Sequence, residues 1–284
     1  YSGREPIYVI GYEEEQFLRI DRRGVFENLR SPATYINKTR TGTNPPGSAD
    51  PRATPQWHKI SSGHVARWHD HRIHWMGGVN PPAVRAAPGK RHVVVPDWKV
   101  EFTQGTLRTA AGGNLLWVPG PSPAPMLLLA VALGALIVLA SKRMRQPFLA
   151  VAVATGVLVV IDIVHSVAIG FANAGTFGQQ LGRTLASSTV SIPAWVVGIG
   201  AVWILARKRV DGFFAAVFAG LIVAVVGGVA DSTVLSRSQV PFALSTGLAR
   251  LIVAASLGMG VGVAVASALA IKKLEPRVVD ADDD

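Results

Sequence analysis

The sequence predicts a membrane protein with an extracytoplasmic all-β, sandwich-like domain followed by an α-helical bundle of about five transmembrane helices. Long apolar runs fall after Pro121, whereas the residues before it carry most of the charge and form short strand-like runs. Lysine and arginine clusters close the apolar runs, as they do at the cytoplasmic ends of membrane spans. The predicted parts are a β-rich domain at 1–118, a proline-rich linker at 119–124, a transmembrane domain at 125–273 and an acidic cytoplasmic tail at 274–284.

The β-rich domain contains many short strand candidates that are separated by turn residues. Residues 17–20 and 25–28 are predicted to form a hairpin, with Gly24 available for a positive φ in the turn. The other predicted strands are residues 7–12, 33–37, 64–76, 92–95, 99–103 and 114–118. Residues 43–55 are rich in proline and polar side chains, which predicts a loop. Many short strands with turns between them are typical of a sandwich or a partial barrel.

The densest group of potential metal ligands is at residues 68–76, within the predicted strand at 64–76. Three of the seven histidines stand there beside an aspartate and a methionine. In an extended strand the side chains alternate between faces, so His69 and His71 would share one face. Asp70, His74 and Met76 would share the other. A histidine pair on one face is a bidentate platform for copper or zinc.

A complete metal site needs three or four ligands at fixed geometry, so the pair requires a further ligand. His64 or His92 would have to fold back to supply it. The alternative interpretation is a strand edge of aromatic and polar side chains without a metal, and the sequence leaves both open. The candidate metal ligands are His69, His71, His74, Met76, Asp70 and His64.

Five apolar spans follow the linker. They are residues 125–141, 147–169, 192–206, 213–235 and 242–271. The basic clusters at 142–145, 207–209 and 272–273 come after the first, third and fifth spans, so all three are predicted on one side of the membrane. By the positive-inside tendency that side is cytoplasmic. We therefore predict a plasma-membrane protein whose first 120 residues and whose loop at 170–191 lie outside.

Four ionisable residues inside the spans are candidates for a functional site, because charges in a bilayer are costly. The four are Asp162, His165, Asp231 and Arg250. The last three are predicted roughly 30–33 Å from the basic residues, near the outer interface, and Asp162 about a turn and a half deeper than Asp231. One hypothesis is a single polar site on three helices, in which Asp162 orients His165 to bind metal or to relay protons. For Asp231 and Arg250 we favour the alternative, a structural ion pair.

The composition restricts the chemistry further. The 284 residues include no cysteine, which excludes thiol nucleophiles, disulfides and iron–sulfur centres. No phosphate-binding loop, nucleophile elbow or zinc-protease motif is present, so we predict that the protein is not an enzyme. The net charge of +10 would suit nucleic acid, but much of the positive charge in the second half stands at span ends. We therefore predict the lipid bilayer, and not nucleic acid, as a partner.

Three segments, at 24–37, 68–76 and 117–123, resemble a family of actinobacterial membrane proteins. Members of this family have an exported β domain ahead of several transmembrane helices, and the resemblance covers residues 7–125. Some members are associated with copper-handling proteins of the CopC/CopD type. The resemblance implies extracytoplasmic copper binding or transfer.

Two hypotheses about function follow. The first is a membrane-anchored extracytoplasmic protein that binds or delivers a metal, with copper favoured and zinc as the alternative. The intramembrane pair of Asp162 and His165 would then be a second station for the metal or a proton-linked site. The second hypothesis is a non-catalytic accessory or scaffold subunit of a larger cell-envelope complex, with other membrane-protein subunits as partners.

Overall fold

A computed structural model describes residues 3–39, 41–144, 147–173 and 175–274. Arg145 of the first basic cluster and residues 275–284 of the predicted tail lie outside the described residues. The chain divides into two compact units, Tyr1–Pro119 and Gly120–Asp284. The boundary falls within the predicted linker.

The first unit contains a six-stranded antiparallel sheet. In chain order the strands are β1 (Ile7–Ile10), β2 (Gln16–Asp21), β3 (Gly24–Asn28), β4 (Trp57–Ser61), β5 (His92–Gln104) and β6 (Leu107–Trp117). Their order across the sheet is β4-β3-β2-β1-β5-β6. In the described part of the unit this one sheet replaces the predicted sandwich, because the long strands β5 and β6 pair with each other and β5 also joins β1.

The predicted hairpin is confirmed at β2 and β3. Asp21 pairs with Gly24 at its closed end, and Gly24 has a φ of +128°, which only glycine adopts without strain. A Cβ at this position would also lie 2.1 Å from the carbonyl oxygen of Ser61 on β4. Glycine is therefore required both by the turn and by the close approach of the next strand.

Two predicted strands are wrong. Residues 33–37 fall largely in the short helix α1 (Pro32–Ile36), because a proline at the first helical position favours a helix start. Residues 64–76 form no strand, and a 3₁₀ turn at His71–Ile73 lies among them. A second short helix, α2 (Pro82–Ala86), precedes β5.

The core of the first unit brings this 3₁₀ turn against the sheet. The buried residues are Val9, Phe17, Leu18, Ala33 and Val100, and the residues packed around them are Tyr12, Trp68, Ile73, Trp98 and Phe102. Trp68 precedes the histidine-rich segment at 69–74, and Ile73 lies within it. Partial burial of these two apolar side chains therefore anchors the segment on the sheet.

The second unit is helical. Its helices are α3 (Ala124–Arg143), α4 (Pro147–Gly170), α5 (Phe177–Ser187), α6 (Ser191–Ala206), α7 (Asp211–Val223) and α8 (Thr246–Leu274). A π-helical segment (Ala224–Ala230) continues α7, and a 3₁₀ turn (Ser232–Leu235) follows it. Among the described residues, four helices are long and apolar enough to cross a membrane, or five if the bent pair α5 and α6 forms one span.

Three lysines mark one end of the helical bundle. Lys142, Lys208 and Lys273, one from each basic cluster, line the same cavity of about 520 Å³ together with Ser141. The basic clusters therefore lie at one end of the unit, as the alternation of spans predicts. This end is called the basic end below.

The predicted loop at 170–191 contains a helix. Thr176 begins α5 with a capping box, in which its hydroxyl accepts from the backbone of Gln179 and the Gln179 side chain accepts from the backbone of Thr176. Phe177, Leu181 and Leu185 repeat every four residues along α5 and are exposed. The helix meets α6 at an angle of 76°.

Glycines allow α3 and α8 to approach closely. A Cβ at Gly258 would lie 2.0 Å from the carbonyl oxygen of Ala130, and one at Gly134 would lie 2.8 Å from that of Gly258. Small residues at such positions permit helix backbones to pack directly in a membrane.

Candidate functional site

The buried carboxylate of Asp70 organises the histidine-rich turn. One of its oxygens accepts hydrogen bonds from the backbone N–H of Arg72 at 3.1 Å and from Arg72 Nε at 2.9 Å. The other accepts from Arg72 Nη2 at 2.8 Å and from Trp68 Nε1 at 2.9 Å. Asp70 is only 2% exposed and both of its oxygens are engaged. The prediction that Asp70 is a metal ligand therefore gives way to a structural role.

Asp70 and Arg72 stabilise each other in their charged forms. Burial raises the pKa of Asp70, but the hydrogen bonds from Arg72 and Trp68 and the charge of Arg72 outweigh it and hold that pKa below its usual range. Burial lowers the pKa of Arg72, and the bonds and charge of Asp70 raise it above the ordinary value. Arg72 also donates to the carbonyl oxygen of Ile10 on β1 at 2.9 Å, which ties the turn to the sheet.

Three histidine rings meet on this turn. The ring centres of His69 and His74 are 4.7 Å apart, those of His69 and His71 are 5.3 Å apart, and those of His71 and His74 are 6.4 Å apart. The expectation that His74 faces away from the other two rings is wrong, because it assumed an extended strand. The 3₁₀ turn gathers all three imidazoles and directs Asp70 to Arg72 instead.

His71 is the most firmly held of the three. Its Nε2 lies 2.9 Å from the carbonyl oxygen of Thr39, and since a carbonyl only accepts, Nε2 carries the hydrogen and Nδ1 presents a lone pair. Its backbone N–H donates to the hydroxyl of Tyr12 at 3.1 Å. A Cβ at Gly42 would lie 3.3 Å from Cε1 of the ring. A histidine that donates one ring N–H to a backbone carbonyl has the arrangement common among metal-bound histidines.

The structure places the other predicted ligands in different settings. His64 Nε2 contacts the carbonyl oxygen of Arg22 at 3.1 Å, and His92 Nε2 contacts that of Ala87 at 2.7 Å. Met76 is 46% exposed. Over the described ranges, no three histidine, aspartate or glutamate side chains are already arranged as ligands of one metal ion. The histidine triad (His69, His71 and His74) is thus a group of neighbouring rings whose nitrogens do not converge.

A second group of polar residues lies inside the helical unit. His165 Nε2 is 3.3 Å from Asp231 Oδ2, and Trp195 Nε1 donates to Asp162 Oδ2 at 2.6 Å. Asp162 and His165 are three residues apart on α4 and both are buried. Arg250 donates to the carbonyl oxygen of Arg237 at 2.8 Å. The favoured pairing of Asp231 with Arg250 is therefore wrong, and Asp231 contacts His165.

Sequence reasoning missed the residues that support both groups. Tyr12, Asn37 and Thr39 contact the backbone or the ring of His71 from 32 to 59 residues away, so no local pattern indicates them. Trp195 has a weak sequence signal, because an indole N–H within an apolar span requires a hydrogen-bond acceptor.

The chain matches no family model, and comparisons with curated proteins and with solved structures found no match. The two groups of residues are therefore interpreted from their own geometry.

Proposed function

We propose that the protein is a membrane-anchored metal-binding or metal-delivery protein, with His69, His71 and His74 as ligands. Copper is the favoured ion and zinc the alternative, since imidazole suits both. The separations of the three ring centres carry this proposal. The helical unit would anchor the protein in the membrane.

The spacing of the rings suits one metal ion. Metal–nitrogen bonds of about 2.0–2.1 Å in a tetrahedral site would place the centres of three bound imidazoles about 5.4 Å apart. The observed distances of 4.7, 5.3 and 6.4 Å lie on both sides of that value. Metal binding at this site would require the ring nitrogens of His69 and His74 to converge on the same ion as Nδ1 of His71.

Exposure of the triad favours transfer as well as binding. His69 is exposed, whereas His71 and His74 are half-buried, so an ion would be open to solvent on the His69 side. Three neutral ligands and an open position would allow an incoming ligand to exchange with water. The basic clusters support a location of this unit outside the cytoplasm, and the resemblance to actinobacterial membrane proteins supports copper.

The test is titration of the full chain in detergent with Cu(II), Cu(I) and Zn(II), after removal of any polyhistidine tag. We expect one ion per chain with a Kd below about 1 μM. Changing all three triad histidines to alanine should abolish uptake. His74→Ala alone should weaken it by about tenfold or more. Bound metal should also raise the Tm of the first unit, because it binds only the folded state.

A variant with His64→Ala and His92→Ala is the matched control, because both histidines lie outside the triad and contact backbone carbonyls. It should bind like the unaltered chain. Equal uptake by the triad variant, or no uptake tighter than micromolar by any chain, would refute the proposal. Full uptake by His74→Ala would contradict the role of His74 and would leave His69 and His71 as a pair that takes its further ligand from elsewhere.

One observation favours the second candidate, an accessory subunit of a membrane complex. The helix pair α3 and α8 leaves an apolar groove of about 410 Å³, lined by residues such as Val131, Gly134 and Val265. A helix of another subunit would pack into it through small residues. Purification in a mild detergent, with Val131→Trp as the variant, tests this, because Val131 lines the groove and is 70% exposed. A stoichiometric partner that co-purifies with the unaltered chain and is lost from the variant would support the candidate. An unaltered chain that purifies without any partner would exclude it.

A further inference from the structure

The polar group inside the helical unit has a graded exposure to solvent. The side chain of Asp231 is 38% exposed and that of His165 is 5% exposed. Asp162, one turn before His165 on α4, is 1% exposed. The three titratable groups therefore run from a partly hydrated carboxylate, through an imidazole in contact with it, to a carboxylate shielded from water.

A glycine and an unpaired hydroxyl border the buried carboxylate. A Cβ at Gly227 in the π-helical segment would lie 2.6 Å from Asp162 Oδ1 and 3.3 Å from Ser256 Oγ on α8. Ser256 is fully buried, and its hydroxyl has no hydrogen-bond partner among the described residues. A buried hydroxyl without a partner is costly, and this one lies against the space beside Asp162. It would donate to the ionised carboxylate or accept from the protonated one.

Among the described residues, the ion pair of this group is that of His165 with Asp231. The charged groups that act on His165 are Asp231 and Asp162, and those that act on Asp231 are His165 and Asp162. The arginines of the adjoining helices α5 and α8 donate to backbone carbonyls, Arg183 to that of Asn173 and Arg250 to that of Arg237. The other described charged groups of the helices packed on α4 lie at the basic end, namely Lys142, Arg143, Asp211, Lys272 and Lys273.

Two ionised aspartates beside a neutral imidazole would place two negative charges in a poorly hydrated region. Such an arrangement is strongly unfavourable, whereas one or two bound protons neutralise it. A proton is the smallest occupant that neutralises these charges, and the graded exposure from Asp231 to Asp162 connects the buried carboxylate to water.

We propose that Asp162, His165 and Asp231 form a proton-exchange site of the helical unit that is loaded through Asp231. A hydronium ion protonates the Asp231 carboxylate and leaves water behind, and that O–H bond breaks as an N–H bond forms at His165 Nε2. An N–H bond of the imidazolium then breaks as an O–H bond forms at Asp162, which becomes a neutral acid next to Ser256. Each proton taken up raises the net charge of the three side chains by one. The hydrogen bond from Trp195 holds Asp162 in place throughout.

The experiment is infrared difference spectroscopy of the full chain in lipid nanodiscs, between about pH 5 and pH 8. A carboxylic acid C=O band that changes with pH is expected, and Asp162→Asn should remove it. Asp211→Asn is the matched control, because Asp211 is exposed and paired with Arg209 at the basic end. That variant should keep the band.

A pH-jump measurement with an indicator dye tests the order of transfer. His165→Phe should slow proton uptake at Asp162 by about a hundredfold, because a positioned proton carrier is lost. Asp162→Glu should retain a band at a shifted frequency, which separates proton binding from a folding defect. A band unchanged in Asp162→Asn, or a rate unchanged in His165→Phe, would overturn the proposal. Both outcomes are independent of metal uptake by the histidine triad.

Discussion

Asp70 bonds to Arg72 and Trp68 and is buried with them, so its charge is matched inside the protein. Removing that charge would leave the Arg72 guanidinium without its partner. We expect Asp70→Asn to lower the free energy of unfolding of the first unit by about 3 kcal/mol. Urea denaturation monitored by tryptophan fluorescence measures this. Asp97→Asn is a suitable control, because Asp97 is exposed and has a φ of +46°, which asparagine tolerates. A loss of equal size in both variants would contradict the prediction.

The pair of Asp70 and Arg72 also predicts that the free energy of unfolding of the first unit depends on pH. The folded-state pKa of Asp70 lies below its unfolded value, so its contribution is fully present above the unfolded value and is lost as the pH falls through the folded one. We expect the stability of the first unit to decline below about pH 4. Asp70→Asn should flatten this decline. Denaturation curves at several pH values, recorded with a metal chelator, measure the difference, and parallel curves for the two proteins would count against it.

At the scale of elements, glycine decides how closely α3 and α8 pack. A Cβ at Gly258 would collide with backbone of α3 at Ala130, so neither helix can relax by a simple rotamer change. We expect Gly258→Ala to destabilise the helical unit by about 1–3 kcal/mol. Gly200→Ala on α6 meets nothing within 4 Å and should be neutral or slightly stabilising. Thermal unfolding in detergent compares them, and similar Tm values for the two variants would contradict this packing.

The elements differ in how far the sequence predicts them. Among the described residues, four of the five predicted spans coincide with helices long and apolar enough to cross a membrane, because uninterrupted apolar runs have few alternative structures. The third predicted span, α6, qualifies only together with α5. The histidine-rich segment is predicted wrongly, since its conformation depends on Asp70, Arg72 and the distant Ile10. The sequence identifies His69, His71 and His74 as candidate ligands, but it does not predict that their three rings lie together. Helix α5 is missed because a short polar segment between spans also suits a loop.

At the scale of the whole molecule, the absence of cysteine makes the orientation measurable. A single introduced cysteine would be the only thiol in the chain. We expect Thr43→Cys in the first unit to react with a membrane-impermeant maleimide in intact cells, because that unit is predicted outside. Lys208→Cys at the basic end should react only after permeabilisation. The reverse pattern would place the histidine triad in the cytoplasm and would remove the case for extracytoplasmic metal binding.

We expect helix α5 to make the protein sensitive to the lateral pressure of the membrane. A helix with exposed Phe177, Leu181 and Leu185 on one stripe is suited to the plane of the lipid headgroups, where it would occupy area in a single leaflet. Stretching or compressing that leaflet would change the free energy of inserting α5 among the headgroups. The 76° bend passes such a change to α6, where Trp195 holds Asp162. Membrane tension and lipid shape are therefore expected to alter the environment of the buried carboxylate through this one hinge.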